Sequence, residues 1–240
     1  MSAVLSAVLN EADCPEPIVR VNIYAVIHKA LRAYMCDTLL RVGRMDAGDD
    51  CERAEAIEQL RGLLALCTKH LHHENDHVHP AMERAQPHAS SVTVDDHRHH
   101  EAAIAALQAQ ANAFESAPPA QRSVLMHKLY LHLSSFVAEN FTHMVVEEVD
   151  NNAVLHAAYS DKEILAIEHV IVRSQSPAEA FAALSWMIPN VNADERATLL
   201  AGIQQSAPPQ VFQGVLQLAR ERLSQRDFYK LESVLAKSAA

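Results

Sequence analysis

The ten residues from His70 to His79 hold five of the chain's fifteen histidines, with Glu74 and Asp76 among them. Imidazole and carboxylate together are the donor set of borderline first-row metal ions, so the stretch reads as one wall of a metal site. Residues three, four and seven apart share a helical face. The apolar stripe Leu60, Leu63, Leu64 and Cys67 continues through His70, Leu71, Glu74, Val78 and Met82. His70 and Glu74 therefore stand where core residues belong, and left unpaired there they would be costly. A simple buried His–Glu hydrogen bond would satisfy one such pair. His72 and His79 fall in register with Glu58, Arg61, Lys69 and Glu83, the composition of a solvated face, and are expected to be exposed. His73 and His77 lie on the boundary and their roles stay open.

The same spacing returns elsewhere. His97 and Glu101 precede Ile104, Gln108 and Ala111, and His143 with Glu147 ends the stripe Leu125, Leu129, His132, Phe136 and Asn140. A further histidine, His28, sits in the stripe Val21, Tyr24, Leu31, Met35, Leu39 and Val42. The elements that carry them are four helices, running from about Ile18 to Val42 with Gly43 closing, from Asp50 to before Pro87, from Ser91 to about Phe114, and from Pro118 to about Ala157 with an irregularity near Asp150 to Asn152. In an antiparallel hairpin of the first two, His28 and His70 come out level. Four imidazoles and two or three carboxylates suit a pair of metal ions, with imidazoles capping and carboxylates bridging. The second hairpin fits less well, because His97 and His143 are offset by about 12 Å at helical rise. Either the fourth helix overshoots the third or His132 is a ligand.

The motifs His28 in IHKALR, His70 and Glu74 in HLHHENDHVHP, His97 and Glu101 in DDHRHHE, and His143 and Glu147 in HMVVEE resemble those of bacterial hemerythrin-like proteins with an HHE cation-binding domain. The resemblance covers roughly residues 18 to 157. It implies an up-down-up-down four-helix bundle in residues 1–157 holding two non-haem irons, oxo- or hydroxo-bridged, with zinc as a substitute. His28, His70, His97 and His143 would be terminal ligands, and Glu74 and Glu147 the bridges. Oxygen-carrying members have a His one turn after the third-helix ligand. Here Glu101 stands in that place, which adds negative charge and disfavours reversible oxygen carriage. Some members place the last carboxylate five residues after its His, which would make it Glu148. The implied work is binding, sensing or reducing dioxygen, peroxide or nitric oxide, or reporting iron or redox state, with Tyr24 placed to hydrogen-bond an oxygen species or simply a helix carbonyl.

Two rival readings use the same residues. His73, Glu74 and His77 match the H-E-x-x-H pattern of zinc hydrolases, but that leaves His28, His97 and His143 unexplained. Alternatively the metal is structural and the protein works through its C-terminal extension, residues 158–240. That extension opens with a Ser160 and Glu163 capping box. Short helices are expected to Arg173, from Pro177 to Met187, Asp194 to Gln204, Pro209 to Leu223 and Arg226 to Lys237, with Trp186 among their apolar residues. It is expected to pack on the bundle or to form a homodimer or partner surface. Only 5 glycines, 49% apolar residues and little β-branched alternation point to an all-α protein. A net charge of −10 disfavours nucleic acid and anionic membranes as partners. Without an apolar span or leader the expected location is cytoplasmic. Cys14, Cys36, Cys51 and Cys67 show no paired spacing, and Cys36 and Cys67 read as small buried residues.

Overall fold

The computed structural model describes residues 20–238. Cys14, Pro15, Pro17 and the expected helix start at Ile18 lie outside them. The described residues are all-helical. Four long helices carry the four candidate histidine ligands: α1 (Ala25–Arg44), α2 (Asp50–His73), α4 (Ser91–Glu115) and α5 (Pro119–Val146), with the short α3 (His79–Ala85) continuing beyond α2 and α6 (Asn152–Ala158) beyond α5. Helix α1 packs against α2 and α5, and α4 packs against the same two, closing a ring around one core. Its centre is Leu31, Met35, Ile57, Leu60, Leu64, Leu107, Phe114, Leu129 and Phe136, all essentially inaccessible.

Local chemistry sets the ends. Asp49 caps α2 by accepting from the backbone N–H groups of Cys51 and Glu52. Helix α1 starts later than expected because Arg20 to Tyr24 are held otherwise. Arg20 donates to Asp161 and to the carbonyls of His156 and Tyr159, while the Asn22 side chain accepts from the N–H groups of Tyr24 and Ala25. Gly43 does not close α1 but lies inside its last turn, where a Cβ would sit 2.9 Å from the Tyr130 ring of α5. Gly43 thus sets how closely α1 and α5 can approach.

Beyond α6, helix α7 (Asp161–Ser174) opens with the Ser160 and Glu163 capping box. It folds back so that Ile164 joins Tyr24, Val78, Met82 and Leu155 in a small cluster at the end of the ring nearest the site. Four helices of fourteen residues each complete the described residues: α8 (Pro177–Asn190), α9 (Ala193–Ser206), α10 (Pro209–Arg222) and α11 (Gln225–Ser238). They enclose a core of their own around Ile188, Leu200, Phe212, Val215 and Leu231. Helix α8 runs past the expected end at Met187, with Pro189 accommodated in its last turn. Helix α8 lies along α1, where Trp186 stacks on Tyr34 with ring centroids 3.9 Å apart. The extension therefore packs on the ring of long helices. Among the described residues no helix is long and apolar enough to cross a membrane.

Candidate metal centre

Between α2 and α3, and again between α5 and α6, the helix widens for one turn. The N–H of His79 donates to the carbonyl of Glu74, and that of Asn152 to the carbonyl of Glu147, five residues back instead of four. Each widened turn begins on a carboxylate of the site, Glu74–Val78 and Glu147–Asn151. Such turns cluster at functional sites because they re-aim side chains without ending the helix. Pro80, which has no N–H to donate, falls where the first one already interrupts the ladder. The added residue also rotates every side chain beyond it. His79, expected on the solvated face, is buried at 4% exposure, with its ring stacked on His97 at 4.8 Å.

Two groups of four candidate ligands result, His28, His70, Glu74 and Glu147 on one side and Glu74, His97, His143 and Glu147 on the other, with the carboxylates common to both. Each carboxylate divides its oxygens between the sides. Glu74 Oε1 lies 3.2 Å from His70 Nε2 and 3.8 Å from His28 Nε2, while its Oε2 lies 3.4 Å from His97 Nε2. Glu147 Oε2 lies 3.4 Å from His28 Nε2, and its Oε1 3.2 Å from His143 Nε2 and 3.5 Å from His97 Nε2. The Nε2 atoms of His28 and His70 are 3.1 Å apart, as are those of His97 and His143. All four carboxylate oxygens are buried with no hydrogen-bond partner. Donors about 2.1 Å from one ion stand about 3 Å apart when their bonds meet at a right angle. The observed spacings are of that order, and a cation on each side would satisfy the orphaned oxygens. The donor set therefore fits metal, and these groups could hold it.

The outward nitrogens are held as well. His28 Nδ1 donates to Glu148 at 2.9 Å, which Arg32 also grips at 2.6 Å; His97 Nδ1 donates to Asn75 Oδ1 at 2.7 Å; His143 Nδ1 pairs with Asp96 at 3.2 Å. Such partners fix the tautomer, leaving Nε2 free toward the site. Burial pushes the His28 and His97 imidazoles down, but the surrounding carboxylates outweigh it and raise both pKa values to about 9. Burial dominates at His70 and pushes it down to about 4. The same imidazoles hold Glu74 well below the carboxylate range and Glu147 below it, although burial acts the other way. Without metal, protons on His28 and His97 balance Glu74 and Glu147.

Of the expected ligands, Glu101 alone is not brought in. Its side chain is 47% exposed, 4.0 Å from His72. Its neighbour His100 points inward instead, with its ring 4.8 Å from that of His143 and an unpartnered Nδ1. Only Glu147 of the two adjacent glutamates is a ligand candidate, and Glu148 supports His28. His132 bonds Gln110 and stays outside, because α5 overshoots α4: none of its residues before Leu129 is buried. His73 and His77 belong to neither group, so Glu74 is not part of an H-E-x-x-H site. Tyr24 is buried, its ring 5.3 Å from His28 and its hydroxyl accepting from Asn151 at 3.4 Å. Burial first, then Glu74 and Glu147, keep its phenol protonated well above the usual range. Cys67 is buried as expected, but Cys36 is exposed. His100, Asn75 and Asp96 carried no sign in the sequence beyond helical register, and His79 was hidden by the widened turn.

No family model, no curated protein and no solved structure matches the chain.

Proposed function

We propose that the chain is a hemerythrin-like diiron protein, its long helices forming an up-down-up-down four-helix bundle with a C-terminal helical extension. It binds, senses or reduces a small oxidant: dioxygen, peroxide or nitric oxide. The observation that carries this reading is the sharing of Glu74 and Glu147, each with one oxygen toward His28 and His70 and the other toward the His97 and His143 side. Two separate structural sites would have no use for common carboxylates. Four protein donors would close a tetrahedral zinc site, whereas on a five- or six-coordinate iron they would leave positions for the oxidant that the proposed work requires.

Bound there, iron supplies the redox chemistry or the binding place for the oxidant. The chain's own residues do the rest. Glu148, Asn75 and Asp96 orient three imidazoles, and Val78, Met82 and Leu155 keep water from the Tyr24 side. Tyr24 offers a phenolic proton beside the carboxylates. The test is optical. Protein from iron-replete cells should show near-ultraviolet absorption that bleaches on reduction and returns with an oxidant, and Tyr24→Phe should alter the decay of the oxidised spectrum. A colourless protein carrying zinc would contradict the reading.

A further inference from the structure

Five of the six ligand side chains are buried and His70 is nearly so, so an ion must pass between helices to reach them. A groove of about 460 Å³ runs between the widened turn with α3 and the first half of α4. Asn75, His79, Glu83, His97 and Glu101 line it, together with Arg98, an exposed guanidinium whose charge is paired with Asp95 at 2.6 Å. It thus reaches a ligand, His97, and the residue that orients it, Asn75. A second cavity, walled by Arg41, Arg44, Met45, Glu52 and Glu55, contains no ligand residue.

Hydrogen bonding decides what the groove can take. The Thr93 hydroxyl has one proton, which it donates to the Ser90 carbonyl at 3.1 Å. Its contact with His79 Nε2 at 3.2 Å must then be accepted from that nitrogen's N–H. Nδ1 of His79 is consequently the unprotonated nitrogen, and it is buried without a partner. A lone pair in that position accepts a cation and repels an anion. Glu101, half exposed on the groove, is a carboxylate that solvent and ions can reach.

We propose that this groove is the route by which divalent cations load the cluster, with Glu101 capturing the hydrated ion and His79 acting as a transit ligand beside His97. The route rests on the reading of the cluster as a metal centre. A carboxylate first, a neutral imidazole second and the His–Glu cluster last would exchange the ion's water for protein donors in steps.

The test mixes metal-free protein with cobalt(II) and monitors the visible absorption in stopped flow, at low and high salt. Glu101→Gln and His79→Leu should each load about tenfold more slowly, the scale of local charge and focusing effects on association, yet reach the wild-type final stoichiometry. Salt should slow the wild type more than Glu101→Gln, and Glu55→Gln in the other cavity should load like wild type. His79→Gln, which retains an acceptor, should lie between His79→Leu and wild type. Wild-type rates in both groove variants would overturn the route while leaving the metal centre standing. Loss of bound cobalt at equilibrium in a folded His79→Leu would make His79 a resident ligand and overturn its transit role. If the wild type takes up no cobalt, the metal centre itself falls, and the route with it.

Discussion

The ring of long helices and the helical extension are built by the same rules and differ in what they bury. In the extension the core is apolar, and its buried charged residue, Arg196, is satisfied by the carbonyls of Ile188 and Val191. Capping boxes at Ser160 with Glu163, Ser176 with Glu179 and Asn192 with Glu195 open three of its helices. The ring instead buries His28, Glu74, His97, His143 and Glu147 at one level and leaves four carboxylate oxygens without partners. Apolar replacements would pack there at no electrostatic cost. The extension is a fold built for stability, whereas the ring gives up stability for a buried His–Glu cluster that could hold a metal ion.

Removing metal should separate the two most sharply. Chelation is expected to speed hydrogen exchange at least a hundredfold around the ligands in α1, α2, α4 and α5, since a tightly held ligand lends about 3 kcal/mol or more at saturating concentration. Exchange in α9 to α11 should change little. Equal deprotection of both regions, measured by mass spectrometry, would erase the distinction.

The second separation is by pH. His28 and His97 have folded pKa values raised to about 9, so the stability they contribute to the metal-free protein is complete below their unfolded value of about 6.5 and disappears as pH rises through 9. His70 and His100, pushed down to about 4 mainly by burial, act oppositely: the unfolded chain binds their protons first, and stability falls as pH drops from about 6.5 toward 4. Metal-free protein should therefore be most stable near pH 6.5 and lose about 5 °C or more in Tm by pH 9.5. Metal should abolish the alkaline loss, because it replaces the protons. A metal-free Tm that is flat from pH 6.5 to 9.5 would show that those protons are not there.

Trp186→Ala probes the seam between the regions. It removes the stack on Tyr34 and should cost about 2 kcal/mol in denaturant unfolding, with metal content unchanged; loss of metal would mean that the extension is part of the site. The smallest expected effect is that of Glu148→Gln, which keeps a hydrogen-bond acceptor for His28 but removes the charge. It should weaken metal binding about tenfold and leave the extension untouched, as a metal-buffer titration would show.

How far the sequence spoke differs along the chain. Helical register alone placed His28, His70, Glu74, His97, His143 and Glu147 inward, because each continues an apolar stripe, and the structure brings these six together. Register failed where the helix stops being regular. One extra residue in the turn after Glu74 moved His79 from the expected solvent face into the interior. Pro80 was a local sign of that turn, but its counterpart after Glu147 has no proline. Glu101 faces out because His97 lies at a helix position from which i+3, His100, points inward more directly than i+4. A symmetric hairpin would offset His97 and His143, but α5 runs past the end of α4: Leu125 and Met126 pack on the core only partly buried, and full burial starts at Leu129. Cys36 shows that an uncharged small residue beside a stripe need not belong to it.

The proposed sharing of Glu74 and Glu147 by two ions is tested most directly by counting metal. Iron per chain should be measured on the wild type, His70→Ala and Glu147→Ala after reconstitution, with circular dichroism confirming that each is folded. Shared carboxylates predict close to two irons in the wild type, about one in His70→Ala, which impairs one side, and close to none in Glu147→Ala, which impairs both. One iron in the wild type, or an equal loss in the two variants, would contradict the shared centre.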